Sequence, residues 1–266
     1  MRLAAPARPL PVRPEAEFRR RDFHPVDQEH SMHTIAIPDY ILQRVMDRRG
    51  KVRLFETLDP ARTALIVVDL QNGFMAPGQP AEIAYAREIV PNVNRIGAAL
   101  RAAGGQVVYI QNTITDATQA EWCVWFDNFT KGDFKQRMIT AFARGSFGHA
   151  IYPALDVVPG DWTVEKQRFG AFVEGSSTLH AQLLAKDIDT LIIVGTATNV
   201  CCESTARDAM MMNYKVVFVS DANACRTDEE HNATLGNILA LFGDVQSTDE
   251  VIATIAAGTR LLQAAE

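Results

Sequence analysis

Ala64-Leu-Ile-Val-Val68, followed directly by Asp69, is the stretch of sequence that decides the fold. A continuous apolar run of this kind is typical of a strand in the middle of a parallel sheet, covered by helices on both faces. From residue 63 onward, short β-branched or aliphatic runs alternate with longer amphipathic stretches, which is the pattern of repeated β-α units. The sequence therefore predicts an α/β fold: a single Rossmann-like three-layer α-β-α domain with a mainly parallel central sheet.

The other strands and helices follow from the same alternation. A helix is predicted over residues 87–103, where apolar residues recur at three- and four-residue spacing and two glycines end the pattern. Further strands and the last two helices are predicted from β-branched runs and from amphipathic periodicity, respectively. These strands cover residues 106–111, 162–166, 190–195 and 215–220, and these helices cover residues 228–242 and 249–263.

The composition restricts the class of protein. The chain has 266 residues, with 26 Lys and Arg against 32 Asp and Glu, so its formal net charge is −6, and 47% of it is hydrophobic. This is typical of a soluble globular protein, and the absence of a long basic stripe argues against a nucleic acid or a membrane as partner. The four cysteines, two of them adjacent, do not form a disulfide framework in so long a chain, which favours a cytoplasmic location.

The start of the chain differs in composition from the rest. Residues 1–57 are predicted to be an N-terminal arm, partly flexible, and residues 58–266 the α/β domain. The first residues contain several Arg and Pro but no apolar stretch of the length that a secretory signal needs. His30 and His33 could ligate a metal in principle, but no cysteine or second cluster stands beside them in the sequence. Solvated arm residues are therefore the favoured interpretation.

A long connection, residues 112–161, separates the second predicted strand from the third. It carries the aromatic residues Trp122, Trp125, Phe126, Phe129, Phe134 and Phe142. A connection this long is usually functional, so it is predicted to form short helices near a pocket. The alternative, that the aromatics belong to the ordinary core or to an oligomer interface, stays open.

Three polar residues lie at the ends of predicted strands: Asp69, Lys166 and Cys201. Parallel strands bring these ends to one edge of the sheet, where ligands of open α/β sheets bind. A thiol at a helix N-terminus beside Lys⁺ is stabilised as the nucleophilic thiolate, and a carboxylate nearby can transfer its proton to a leaving amine. Cys201 is therefore the candidate nucleophile. On the residues alone, a helix cap, a surface lysine and a buried small hydrophobe remain the alternative roles.

Four motifs carry a family resemblance: residues 64–74 (ALIVVDLQNGF), 164–172 (VEKQRFGAF), 194–208 (VGTATNVCCESTARD) and 220–222 (SDA). Together they resemble the isochorismatase-like cysteine hydrolases, a superfamily of α/β amidohydrolases, over residues 58–255. The resemblance implies that Asp69, Lys166 and Cys201 are the catalytic residues. It also implies a cis peptide bond between Thr196 and Ala197, and an oxyanion hole formed by the N–H groups of Ala197 and Cys201.

Departures from other members narrow the activity. Nicotinamidases of this fold have an Asp and His metal cluster after the second strand, whereas residues 111–117 here contain no His, so a bound metal is not expected. The cysteine mechanism that the resemblance implies requires no organic cofactor either. Isochorismatases proper lack the nucleophilic cysteine, so amide or ureide hydrolysis is favoured. The similarity is strongest to the ureidoacrylate amidohydrolases of pyrimidine catabolism. On that basis Asn72, Gln111 and Phe169 are expected to line the substrate pocket. The side-chain amides of Asn72 and Gln111 both donate and accept hydrogen bonds, which suits a ureido group.

Alternatives remain at this point. The same three residues could act on biuret, an N-carbamoyl acid or a lactam. From another class, the chain could be a non-catalytic ligand-binding protein or a thiol sensor that uses Cys201 and Cys202, although Cys202 has the helical spacing of a packing residue. The expected partner is a small-molecule amide or ureide, and the resemblance implies a homo-dimer or tetramer.

Overall fold

A six-stranded, entirely parallel sheet forms the centre of the protein, in a computed structural model that describes residues 32–264. Its strands lie in the order β3-β2-β1-β4-β5-β6. Their bounds are β1 Thr63–Val68, β2 Gln106–Asn112, β3 Trp162–Lys166, β4 Thr190–Thr196, β5 Lys215–Ala224 and β6 Asp244–Gln246. The predicted fold class and all five predicted strands are confirmed. The sixth strand was missed because three residues are too few to show a sequence pattern.

Helices cover both faces of the sheet. Their bounds are α1 Asp39–Arg49, α2 Asn72–Met75, α3 Val90–Ala102, α4 Asp116–Glu121, α5 Gly132–Phe142, α6 Leu179–Leu184, α7 Glu203–Met211, α8 Asp228–Asn237 and α9 Thr248–Gln263. Three π-helical turns occupy Trp125–Phe129, Thr198–Cys202 and Ile238–Phe242. The helix predicted over residues 228–242 is therefore α8 followed by one of these wider turns. None of the helices between residues 32 and 264 has the length and apolarity needed to cross a bilayer.

The core lies on both sides of β1, as its apolar run predicts. Leu65 and Val67 contact one cluster of buried side chains, and the alternate residues Ala64, Ile66 and Val68 contact the other. Each fully buried aliphatic side chain of this kind contributes about 1.5–3 kcal/mol to folding. Burial on both faces holds the carboxyl end of β1 in place, and the residue at that end is Asp69.

Residues 32–57, which belong to the predicted arm, pack on the α/β domain instead of extending from it. Ile41 and Val45 of α1 are buried against Leu239 and Ala240. Further along, the Asp244 carboxylate accepts the backbone N–H groups of residues 54 and 55. The folded unit therefore begins well before the predicted boundary at residue 58, because the apolar residues of α1 are buried against the turn that follows α8. The rest of the predicted arm, residues 1–31, lies outside the described residues.

At Gly195 the backbone of β4 approaches the backbone of β1 very closely. Its φ is +126°, and a Cβ placed on it would lie 2.1 Å from the carbonyl oxygen of Val68. Gly195→Ala is expected to lower the free energy of unfolding by about 3 kcal/mol or more, because backbone strain adds to overpacking. The measurement is urea denaturation, with Gly104→Ala as the matched control: Gly104 has a φ of +89° but open space around it. A loss no larger than that of the control would contradict the packing argument.

Candidate active site

Asp69, Lys166 and Cys201 meet at the carboxyl edge of the sheet. Lys166 ends the edge strand β3, and its side chain extends past the end of β2 to place Nζ 2.8 Å from Asp69 Oδ2. Both side chains are completely buried. Cys201, which is 5% exposed, lies close enough to both groups for each to shift the pKa of its thiol. The structure thus brings together the three residues that strand-end topology selected.

The backbone positions Asp69 tightly. Its φ is +55°, a conformation that few non-glycine residues adopt, and its N–H donates to the carbonyl of Ile110 at 3.0 Å. Gln71 fixes the neighbouring end of β2, because its amide donates to the carbonyl of Asn112 and accepts that residue's N–H. The carboxylate is therefore held by two adjacent strand ends. Gln71 belongs to the motif at residues 64–74, but its role was not predicted.

Burial controls the protonation of the three groups. It raises the pKa of Asp69 above its ordinary value, although Lys166 opposes the shift. Burial by itself would lower the pKa of Lys166, but the charges of Asp69 and Cys201 outweigh it and the pKa is raised. Burial, reinforced by the Asp69 carboxylate and only partly offset by Lys166, raises the pKa of Cys201 to about 12.

Burial therefore favours the protonated form of the Cys201 thiol, which opposes the thiolate stabilisation that the sequence predicts. That prediction considered Lys⁺ and the helix N-terminus, both of which favour the thiolate. It did not include the desolvation of a nearly enclosed sulfur, which disfavours the charged form. Formation of the nucleophile thus needs a base in contact with the thiol, and Asp69 is the carboxylate that shifts its pKa.

The turn that carries Cys201 begins with a free N–H group. The peptide bond between Thr196 and Ala197 is cis, as the resemblance implied. The N–H of Ala197 donates to no carbonyl or side chain among residues 32–264, and the N–H of Cys202 donates to the Ala197 carbonyl. Unpaired N–H groups at the beginning of a helical turn can bind a developing negative charge. Cys202 itself is fully buried in the core beside Ala206 and Ala209.

A cavity of about 340 Å³ opens onto Cys201. Its walls include Trp122, Trp125, Phe126 and Phe134 of the aromatic connection, together with Phe169, as predicted. Trp122 and Trp125 meet the Phe169 ring edge-to-face, with centroids 4.8 and 5.1 Å away. Phe142, in contrast, is a core residue whose ring centroid lies 4.6 Å from that of Phe74. The aromatic connection therefore contributes both to the pocket wall and to the core, the two roles that the sequence left open.

The polar side chains of the cavity differ from those expected. Asn72 donates to the carbonyl of Phe147, and Gln111 donates to that of His149; neither lines the cavity. The side chains that do line it are Asn112, Thr118, Gln167 and Arg226. Gln111 and Asn112 are neighbours on β2 and point to opposite faces, so the error arises from the unknown phase of the strand.

Two of the missed residues had a signal in the sequence. Gln167 directly follows Lys166, and Arg226 follows β5 at the same edge of the sheet, where strand-end residues collect. The side-chain oxygen of Gln167 accepts a hydrogen bond from the Thr118 hydroxyl at 2.9 Å, which leaves the side-chain NH₂ group of Gln167 available to the cavity. Arg226 is exposed and makes no ion pair with any residue of the described range.

Comparison with known proteins identifies relatives of this chain. The sequence profile described as the Isochorismatase domain matches residues 63–250. The ureidoacrylate amidohydrolase RutB of Rhizobium rhizogenes is 32% identical over 212 residues, covering 75% of this chain and 85% of that protein. RutB of Methylobacterium radiotolerans is 34% identical over 199 residues, covering 70% and 76%, respectively.

A solved structure shows the same fold. The cysteine hydrolase from Pseudomonas syringae pv. phaseolicola superimposes with a TM-score of 0.65 at 30% identity, covering 76% of this chain and 95% of that one. The parallel six-stranded sheet with helices on both faces is thus the fold of the isochorismatase-like hydrolases. The chain belongs to the isochorismatase family of hydrolases.

Proposed function

We propose that the protein is a cysteine-dependent amidohydrolase that cleaves a C–N bond of a small ureido acid, with ureidoacrylate as the first candidate. The observation that carries this proposal is the contact of a buried Asp69–Lys166 pair with the one thiol that opens onto the cavity. Relatives named ureidoacrylate amidohydrolase support the choice of substrate.

The first half of the reaction forms a covalent intermediate. Asp69 takes the thiol proton of Cys201, and the sulfur attacks the amide or ureide carbonyl carbon. The N–H groups of Ala197 and Cys201 donate to the resulting oxyanion. When the tetrahedral intermediate collapses, the C–N bond breaks and Asp69 returns its proton to the leaving ammonia or amine. A thioester or thiocarbamate on Cys201 remains.

Water completes the cycle. Asp69, again ionised, accepts a proton from a water molecule that attacks the carbonyl carbon of the intermediate, and the C–S bond breaks. The sulfur leaves as a thiolate and recovers the proton from Asp69. Lys166 keeps its positive charge beside both groups throughout, because its raised pKa favours the ammonium form. No step in this sequence requires a metal or an organic cofactor.

The chemistry of the cavity favours a planar ureide that carries an acid group. Asn112 and Gln167 offer amide donors and acceptors that match the N–H and C=O groups of a ureide. The aromatic walls suit a flat substrate, and about 340 Å³ is enough for a small one. Arg226 supplies the charge that would pair with a substrate carboxylate.

Arg226→Ala is expected to raise KM for an acidic ureide by about 10- to 100-fold, because a hydrogen-bonded charge pair contributes about 1.5–3 kcal/mol. Arg226→Lys keeps the positive charge but cannot make the bidentate contact of a guanidinium. Its KM should therefore lie between those of wild type and Arg226→Ala. The measurement is steady-state kinetics on ureidoacrylate and on the same ureide with its carboxylate converted to a carboxamide. Equal losses on both substrates would show that Arg226 does not recognise the acid group.

The experiment that tests the function is ammonia and product release from ureidoacrylate, biuret, N-carbamoyl amino acids, a lactam and aliphatic amides. Cysteine-dependent turnover of an acidic ureide, well above that of the neutral amides, is the expected result. Turnover of another compound on the same three residues would replace the substrate and keep the mechanism. Rapid alkylation of Cys201 without any turnover would instead favour a thiol sensor or ligand-binding protein.

A further inference from the structure

His33 lies among residues that precede the matched family domain, yet it packs behind the candidate active site. Its side chain is 3% exposed, which corrects the prediction of a solvated arm residue; His30 lies outside the described residues. The ring lies between Tyr85 and His231, with centroid distances of 4.4 and 4.3 Å. A histidine so enclosed, and so far in sequence from its neighbours, joins the N-terminal segment to the domain.

Hydrogen bonds define the tautomer of His33. The N–H of Cys225 donates to Nε2 at 3.1 Å, so that nitrogen carries a lone pair. Nδ1 lies 2.8 Å from Asp228 Oδ1 and is therefore the nitrogen that bears the proton and donates it. The segment is held further along by Asn232, whose amide accepts the N–H of Ala36 at 2.7 Å.

One connection leads from His33 to the oxyanion-binding turn. His231, stacked on His33, lies 2.9 Å from the Thr198 hydroxyl through Nδ1 and 2.9 Å from the Ser220 carbonyl through Nε2. Burial lowers the pKa of His231 to about 4, so the ring is neutral, donates to the carbonyl and accepts from Thr198. Thr198 is fully buried and lies between Ala197 and Cys201 in the turn.

A second connection leads from His33 to Arg226. The N–H that His33 accepts belongs to Cys225, the residue directly before Arg226. This hydrogen bond fixes the backbone at the end of β5, from which the Arg226 side chain extends to line the cavity. The same ring therefore contacts the supports of both the oxyanion-binding turn and the cationic side chain.

These contacts also account for a cluster that could be mistaken for a metal site. His33, Cys225 and His231 each place one potential ligand atom within 4.8 Å of the others. All four ring nitrogens, however, already have a protein partner, and the Cys225 thiol donates to the Thr227 carbonyl. Metal binding would break these hydrogen bonds, so the cluster fits a positioning role better.

We propose that His33 is a positioning residue that holds the Ala197–Cys201 turn and the Arg226 backbone in the geometry that catalysis requires. The inference rests on the proposed function. It assigns to the N-terminal segment, outside residues 63–250, a part in building the site that binds the acid group and the oxyanion. Small displacements of these groups cost rate even when the fold is intact.

Kinetics of three variants test the two hydrogen bonds separately. His33→Ala is expected to lower kcat and raise KM for an acidic ureide, each by about tenfold. His33→Gln places an acceptor near the Nε2 position and can keep the hydrogen bond from the Cys225 N–H. His33→Asn places a donor near the Nδ1 position and can keep only the hydrogen bond to the Asp228 carboxylate. The KM of His33→Gln should therefore be closer to that of wild type than the KM of His33→Asn is. Ile35→Ala, at a 41% exposed position of the same segment, is the control without effect.

A readout independent of turnover separates this proposal from the proposed function. Amide hydrogen exchange should become faster in peptides covering residues 196–202 and 224–227 of His33→Ala, and not in Ile35→Ala. If wild type hydrolyses no ureide but exchange responds, the proposed substrate fails and the positioning role stands. Unchanged exchange and unchanged kinetics in a folded His33→Ala would overturn the positioning role, as would an equal response in all peptides.

Discussion

Replacing Cys201 by alanine is expected to abolish turnover of every substrate, by at least about 10⁴-fold in kcat, because no covalent intermediate can form. The side chain is nearly buried but small, so the fold should survive the loss of one sulfur. The measurement is product release with denaturation midpoints recorded in parallel. Cys201→Ser should be almost as inactive, since a serine hydroxyl is harder to deprotonate than a thiol.

The neighbouring cysteine provides the matched control. Cys202 is fully buried one residue further along the turn and faces the core rather than the cavity. Cys202→Ala should therefore keep most of the activity and lose some stability, the reverse of Cys201→Ala. Mass spectrometry of wild type stopped during turnover should show the acyl group on Cys201 alone. Substantial activity in Cys201→Ala would eliminate the covalent mechanism.

Asp69→Asn is expected to lower kcat by about 10³-fold, because a positioned general base contributes up to about that much and the amide cannot take the thiol proton. The residual rate should rise with pH, because hydroxide must then remove the proton that Asp69 accepts in wild type. Asp59→Asn is a suitable control, since Asp59 caps the turn before β1 at the opposite end of that strand.

The pH profile of wild type follows from the same carboxyl group. Only ionised Asp69 can accept the proton, so activity is present above the pKa of Asp69 and lost as pH falls through it. Because burial raises that pKa, the acid limb of kcat/KM should lie above the ordinary aspartate value of 3.8. No alkaline loss from Lys166 is expected near neutrality, since its pKa is raised above 10.5. An acid limb that persists in Asp69→Asn would assign it to another group.

The sequence was sufficient to place the catalytic candidates because strand ends are a topological property. Asp69 and Lys166 lie at the ends of predicted strands, and parallel pairing brings such ends together whatever the details of packing. The charge state of Cys201 could not be predicted in the same way. Desolvation depends on how completely the surrounding chain encloses the sulfur, and residues far apart in sequence decide that.

The pocket was less predictable than the catalytic centre. Whether Gln111 or Asn112 faces the cavity depends on the pleat of β2 relative to its neighbours, and a shift of one residue exchanges the two faces. The contact between His33 and Cys225 joins residues 192 positions apart, and neither lies in a recognisable pattern. Periodicity contains no information about such a contact.

The division of labour between the sheet and the aromatic connection has a consequence for evolution. The proposed catalytic residues lie at the ends of β1 and β3 and on the turn after β4, beside the two-sided core. Most aromatic walls come instead from one connection between β2 and β3, which shares no residue with the reacting groups. Substitutions in that connection can therefore change which molecules the cavity accepts while the proposed catalytic residues stay the same. New substrate preferences can thus arise without loss of the reaction.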